Sequence, residues 1–418
     1  MNIMELKVRL VRWLLAYVPS LYALLTGRCP PSSGANMHVA LKSVRERAHP
    51  RVLIVDHDFP ELSRDAGSKA IFQLVELIRQ HAEVTFWCAT TSPSKAGRDL
   101  LAAIGVKPAN RTFNCDLDRW LHEHSPEGEF VAAVLSRPIV AAIYLGSVRK
   151  HVSGVCAYYG HDIHYMRLAQ MSRFVVRPGL RSERRELSRI EGRLWSSFDV
   201  VFYPSEEEAS LVNAFRSRHA LSPNTIVLPL WEAPSPPLDV NRPDSRCGIL
   251  FVGSFEHPPN IDGLDWFFSD VLPLVRSAGC NDHVYVAGSN MDRYRPPTDD
   301  LNVSVLGRID EHALVQLYEK VRVSVAPLRF GAGVKGKVIE SLGFGLPCVT
   351  TSVGLQGLGW ARPAMEPHDT PEGFAAALIS LLSDDDLWNL ISSECLRLLA
   401  ITYAPGTIRD RLCRSLSI

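Results

Sequence analysis

Of the 418 residues of the chain, the densest in chemistry are Arg329-Phe-Gly-Ala-Gly-Val-Lys-Gly-Lys-Val-Ile-Glu340. They follow an apolar run, VRVSVAP (321–327), of the kind a buried strand carries, and lead into a helical pattern near Lys335–Phe344. Gly331 and Gly333 let a backbone approach a ligand closely. The helix that follows would point its free N–H groups and positive dipole end back at the loop, which makes an anion site. Lys335 and Lys337 add two cations in the first helical turns, sufficient to neutralise a diphosphate without a metal ion, and Arg329 supplies a third at the loop's start. Glu340 lies three residues beyond Lys337 on one helix face, one turn deeper, where a carboxylate accepts hydrogen bonds from ribose hydroxyls.

Two other anion motifs fit this loop in part. Gly331, Gly333 and Gly336 satisfy G-x-G-x-x-G, but the acidic residue that a dinucleotide site needs some twenty positions on is missing around Gln356. Gly331 and Gly336-Lys337 satisfy most of an NTPase phosphate loop, but Val338 stands where a magnesium-binding Ser or Thr is required. A tight strand-to-helix turn with surface lysines is the plainer alternative.

Three more groups carry polar chemistry. Asp65-Ala-Gly67-Ser68 enters a helix after the first strand, either as backbone that a ligand can approach or as an ordinary start capped by Asp65. His161, Asp162 and His164, in Tyr158-Tyr-Gly-His-Asp-Ile-His-Tyr-Met-Arg167, suit hydrogen bonding to sugar hydroxyls and orientation of a reacting centre; a polar strand-end loop is the alternative. Asp56-His-Asp58 imitates a metal-binding D-x-D, but it ends the first strand, far from the diphosphate loop, so a cleft-lining role or none is expected and no metal is assigned. Arg181, Arg185, Arg189 and Arg193 recur every four residues with Glu183, Glu186 and Glu191 interleaved. That pattern reads as a solvated, salt-bridged helix, or else as a patch meeting an anionic lipid or glycan.

The elements that must position these residues form two series. From residue 51, short apolar strands (51–56, 83–88, 130–135, 154–158, 199–203) alternate with helical stretches such as 66–80, 181–197 and 205–217. The stretch 229–246 is rich in proline and reads as a linker, its core at 231–246. A second series then begins afresh, with strands at 247–253, 283–288, 302–306, 321–327 and 346–350 and helices at 261–277, 311–319 and 335–344. The expected fold is α/β, two tandem Rossmann-like domains (51–230 and 247–400) with an interdomain cleft, a C-terminal tail (401–418) and an N-terminal helical extension (1–50). The tail is expected to pack back on the N-terminal domain.

Composition narrows the function. With 46% hydrophobic and 22% charged residues the chain is globular, and 45 basic residues balance 45 acidic ones, so no global field draws it to nucleic acid. Nine scattered cysteines without a C-x-x-C pair point to reduced thiols in a cytoplasmic protein. The apolar run Leu10–Leu25 is short for a membrane span and interrupted by Arg12 and Pro19; an interfacial or docking helix with peripheral membrane contact is expected of it, a plain packed helix or a signal segment being the alternatives.

The runs PLRFGAGVKGKVIESLGFGLPCVTT (327–351), ILFVGSFEHPPNIDGLDWF (249–267) and GLQGL (354–358) resemble glycosyltransferase family 4, retaining enzymes of the GT-B fold. The resemblance covers roughly 51–400 and is strongest in the second domain. It implies a nucleotide-sugar donor and a glycan or lipid-linked acceptor, with no metal cofactor. It casts Glu340 as the glutamate on the donor ribose, Lys337 as a basic residue on the diphosphate, and Gly253 and Ser254 as the turn over the phosphates. The histidine-bearing loop 158–167 takes the place beside the transferred sugar, and the Asp65–Ser68 loop the acceptor side. Two positions depart from the family: Ala332 stands where a glutamate is usual, and Gln356 replaces an acidic residue. An epimerase of the same architecture and a non-catalytic nucleotide-sugar-binding subunit are the rival readings.

Overall fold

The computed structural model describes residues 3–18, 22, 49–62, 64–125, 129–174, 176–231, 243–291 and 294–418. The chain divides into two compact units, Met1–Trp231 with Pro405–Ile418, and Glu232–Ala404. Most of the expected linker, 232–242, lies outside the described residues, as do 19–21 and 23–48 of the expected extension.

In chain order the first unit contains α1 (Ile3–Tyr17), β1 (Arg51–Asp56), α2 (Ala66–Arg79), β2 (Glu83–Cys88), α3 (Lys95–Ala103), β3 (Lys107–Asn110), α4 (Leu117–His124), β4 (Phe130–Ser136), α5 (Pro138–His151), β5 (Val152–Tyr159), α6 (His164–Met171), α7 (Leu180–Ser197), β6 (Val200–Tyr203), α8 (Glu206–Arg218) and β7 (Thr225–Val227). Its seven strands are parallel in the order β3-β2-β1-β4-β5-β6-β7. Continuous apolar runs such as Val52–Val55 and Ala132–Leu135 fill the central strands because helices cover both faces.

α1 is not an appendage. Leu14, Leu15 and Ala16 join the buried core that contains Ile190 and Leu194 of α7. Arg12 donates to Glu183 and Glu186, and Arg193 donates to the carbonyls of Leu15 and Ala16 at the end of α1. This helix packs as part of the first unit, because its apolar face finds a partner there. α7 is salt-bridged and exposes Arg181, Arg185 and Arg189, as its pattern suggests, but its Glu186 and Glu191 are both buried. Among the described residues no helix is long and apolar enough to cross a membrane.

The second unit contains β8 (Ile249–Val252), α9 (Pro258–Trp266), a π-helical turn (Phe267–Val271), α10 (Leu272–Ser277), β9 (Val284–Ala287), β10 (Val303–Gly307), α11 (Glu311–Lys320), β11 (Val323–Ala326), α12 (Gly336–Gly343), β12 (Cys348–Thr350), α13 (Pro371–Ser383) and α14 (Asp385–Thr402). Its parallel sheet runs β10-β9-β8-β11-β12. The single helix expected over 261–277 is broken by the π turn just before Pro273, whose ring and missing N–H disfavour an uninterrupted α-helical ladder. A last helix, α15 (Pro405–Leu416), buries Ile408, Leu412 and Leu416 in the first unit, packing against α2, β4 and β5. Arg411 of α15 donates to the carbonyl of Val227 at 2.6 Å.

Candidate functional site

Both sheets reverse their strand order once, between β1 and β4 and between β8 and β11. Loops leaving such a pair turn to opposite faces, which opens a crevice at the strands' carboxyl ends. Most of the residues singled out from the sequence lie at these two places.

In the second unit β8 ends at Gly253 and Ser254. A methyl group on Gly253 would sit 2.9 Å from Lys337 Nζ, so the turn and the lysine are in close contact and a larger residue there would displace the ends of Lys337 and Asn260. Lys337 Nζ donates to Asn260 Oδ1 at 2.7 Å and lies 4.3 Å from the centre of the Phe251 ring. Asn260 Nδ2 in turn donates to the carbonyl of Ser254 at 2.8 Å. Lys337 is thus held across the β8/β11 reversal by an amide and an aromatic face. Burial pushes its pKa down to about 7.

Gly331 (φ 142°) and Gly333 (φ 74°) adopt backbone conformations that a side chain would strain. Lys335 turns back on its own loop, donating to the carbonyls of Ala332 and Gly333 at 3.1 and 2.5 Å. Arg329 forms a two-pronged pair with Asp262 of α9 at 2.5 and 2.9 Å, so its charge is already answered. Glu340 accepts from Tyr318 Oη at 3.1 Å and remains partly exposed. Of the three cations proposed for a diphosphate, Lys337 is the one whose hydrogen bond is to a neutral side chain. The 351–358 loop is sewn to the same edge by Thr350 and Thr351, which donate to the carbonyls of Ala326 and Leu328. Gln356 there has a buried Oε1 without a hydrogen-bond partner, an acceptor suited to a sugar hydroxyl.

In the first unit Asp56, 2% exposed at the end of β1, accepts from the His57 N–H at 2.6 Å and from Arg137 Nε at 2.9 Å across the β1/β4 reversal. Burial alone would raise its pKa; Arg137 and the His57 bond outweigh it and hold it at about 2. Asp58 accepts from the N–H groups of Phe59 and Ser94 and from Arg64. Both carboxylates of the D-x-D thus have protein partners, and among the described residues no cluster of three His, Cys, Asp or Glu is arranged to hold a metal. Arg137 has φ 65° and ψ 134°, a costly conformation for a residue with a side chain, and its buried Nη2 lacks a partner.

Asp65 caps α2 by accepting from the Ser68 N–H at 2.7 Å. A methyl group on Gly67 would lie 3.3 Å from Arg137 Nη2 and 3.5 Å from the His161 ring, so backbone and both side chains share one spot. His161 Nε2 is 2.9 Å from Ser136 Oγ. Burial, then Arg137, hold His161 at a pKa of about 4, neutral at physiological pH. Asp162 is 3.1 Å from His164 Nε2 and is gripped by Arg167 at 2.9 and 3.2 Å. Burial opposes its ionisation, but His164 and Arg167 prevail and keep its pKa well below the usual range.

Glu191 of α7, fully buried, accepts the N–H groups of His164 and Tyr165 at 2.9 and 3.0 Å and so fixes the start of α6. Burial pushes its carboxyl up to about 8 against the pull of those two bonds. The sequence reading missed Asn260, Tyr318 and Arg137 as site residues. Asn260 falls within the run 249–267, and Arg137 carries a signal of its own, since it precedes a proline that begins a helix.

Residues 246–384 match the family model described as glycosyl transferases group 1. Over 121 residues the chain is 26% identical to an uncharacterized 44.6 kDa protein in the cps region of Klebsiella pneumoniae, a match that covers 27% of this chain and 31% of that one. It therefore spans about a third of the length of that curated relative. Solved structures are similar over far more of the chain. HepE of Anabaena, in complex with UDP and glucose, has a TM-score of 0.59 at 13% identity, covering 88% of this chain and 100% of HepE. The O-GlcNAc transferase of Thermobaculum terrenum has a TM-score of 0.56 at 12% identity, covering 97% of this chain and 73% of that one. An Escherichia coli trehalose-6-phosphate protein bound with UDP-2-fluoro glucose has a TM-score of 0.57 at 11% identity, covering 88% and 99%. The fold is that of GT-B glycosyltransferases.

Proposed function

We propose that the protein is a retaining glycosyltransferase of the family 4 type, which moves a sugar from a nucleoside diphosphate sugar to a glycan or lipid-linked acceptor. The observation that carries this reading is Lys337, held by Asn260 and Phe251 at the β8/β11 reversal with Glu340 one helical turn further on. That pairing offers a cation for a diphosphate and an acceptor for ribose hydroxyls, one turn apart. The UDP and sugar bound by the structural neighbours, and the place of the sequence relative in a cps region, support it and fit a role in polysaccharide biosynthesis of the cell envelope at the cytoplasmic side.

In this mechanism the bond from the anomeric carbon to the diphosphate oxygen breaks as an oxocarbenium-like centre forms. The N-terminus of α12 and Lys337 stabilise the charge that grows on the leaving group, and the Gly331–Gly333 loop lets it approach. A leaving phosphate oxygen takes the proton of the acceptor hydroxyl, which adds on the same face. Neutral His161, with His164 and Asp162 behind it, makes hydrogen bonds to sugar hydroxyls, and Gln356 supplies an acceptor in the second unit. No metal is required.

A thermal-shift panel of UDP-, GDP-, ADP- and dTDP-sugars identifies the donor, because a ligand of the native state raises its stability by mass action. Acceptor-dependent release of nucleotide then establishes transfer. Isomerisation of the donor without acceptor makes the protein an epimerase instead. Binding without either reaction makes it a non-catalytic subunit, the reading that Ala332 and Gln356 would favour.

A further inference from the structure

α1 has two faces of opposite fate. Leu14, Leu15 and Ala16 are buried against the first unit, while Leu10, Trp13 and Tyr17, spaced to share the opposite face, are 56%, 45% and 36% exposed. The Trp13 and Tyr17 rings stack at 5.6 Å, and the Arg189 guanidinium lies 4.1 Å from the centre of the Tyr17 ring. Arg181, Arg185 and Arg189 are exposed at four-residue spacing along α7, which packs beside α1. The loop before α7 continues this surface: Phe174 is 47% exposed and Val176 fully so, flanked by exposed Arg173 and Arg177.

The charge on this side is one-signed. Between residues 173 and 190 six arginines stand against two glutamates. Glu186 is buried on Arg12, and Glu183 is shared by Arg12 and Arg177. Exposed tryptophan, tyrosine and leucine beside an uncompensated row of arginines have the composition of a surface that lies at a lipid headgroup boundary. Such a face needs a partner that is apolar just beneath a layer of negative charge.

We propose that the face formed by α1, the 173–177 loop and the exposed arginines of α7 docks the protein on an anionic phospholipid bilayer. Tyr17, Trp13, Leu10, Phe174 and Val176 enter the headgroup region, and Arg181, Arg185 and Arg189 meet phosphates. The docking stands independently of the sugar-transfer reading, but it would deliver the first unit to a lipid-linked acceptor.

The test is sedimentation of the full chain with vesicles of phosphatidylglycerol or phosphatidylcholine, without any sugar nucleotide. Binding is expected to phosphatidylglycerol only, and to weaken as salt rises. At about fivefold per arginine, the triple variant R181Q/R185Q/R189Q should bind roughly a hundredfold more weakly. Trp13→Ala should weaken binding at every salt concentration, because its contribution is apolar. These side chains are exposed, so the fold should persist, checked by an unchanged donor-induced thermal shift. Absence of binding to phosphatidylglycerol, or undiminished binding by the triple arginine variant, overturns the proposal. So does a dimer in sedimentation velocity that Trp13→Ala dissolves in a protein that ignores vesicles, for then a second copy covers the face. Vesicle binding in a protein with no donor response would leave the docking standing and remove the glycosyltransferase reading instead.

Discussion

Lys337 makes donor affinity depend on pH in a way that its neighbours dictate. Burial holds the free lysine at a pKa of about 7, and its hydrogen bond goes to Asn260 rather than to an acid. A diphosphate would supply the missing negative charge, so the binding-competent form is the protonated one. That form is complete well below pH 7 and half populated at 7. It falls to about one part in eleven at pH 8 and one in thirty at pH 8.5, and the apparent dissociation constant rises by the same factors. Calorimetric titration with the nucleotide sugar chosen by the panel, at steps from pH 6 to 8.5, should show about a thirtyfold loss of affinity. Lys337→Arg keeps its charge throughout and should flatten the profile. Lys337→Met should bind weakly at every pH, and its kcat should fall by roughly 10²–10³, as when an electrostatic stabiliser of the transition state is removed. An unchanged affinity across this range in the native protein, or the same loss in Lys337→Arg, would refute the assignment of this lysine to the diphosphate.

Glu340→Gln should raise the donor KM with little change in kcat, because hydrogen bonds to ribose exist in ground and transition states alike; steady-state kinetics separate the two. Donor binding should survive EDTA, and a complete loss of activity reversed by magnesium would bring Asp56 and Asp58 back as metal ligands. Removal of residues 1–22 takes away the apolar face of α1 and strands buried Glu186 without Arg12, at a cost of about 3 kcal/mol or more. The melting temperature should drop by roughly 5–10 °C, read by calorimetry.

The buried strands were legible because a parallel strand covered on both faces needs an unbroken apolar run. RVLIVD and EVTFWC were assigned to the residue for that reason. Edge strands β3, KPAN, and β7, TIV, carry no such run and passed unnoticed. The glycines of the 329–340 loop announced backbone that side chains cannot adopt, and Gly331 and Gly333 have that geometry. What charged side chains do was far less visible. Arg329 spends its charge on Asp262, 67 residues away in sequence, and Lys335 curls onto carbonyls of its own loop. Glu191 belongs to a periodic Arg/Glu pattern that looks the same whether its members face water or the core. Only the packing of α6 against α7 shows that it turns inward to hold the residue after Ile163. The apolar run near the N-terminus was ambiguous for a related reason: one face of α1 is packed and the other is not.

The return of α15 to the first unit also governs the order in which the chain can be completed as it is made. Ile408, Leu412 and Leu416 fill a place against α2, β4 and β5 that stays vacant until Pro405–Leu416 have left the ribosome. The second unit is continuous in sequence and emerges whole before that happens. It can therefore close while the first is still unfinished, reversing the usual N-to-C order of domain completion. A nascent chain stalled short of Pro405 would carry an uncovered apolar groove on its first unit, a natural target for a chaperone.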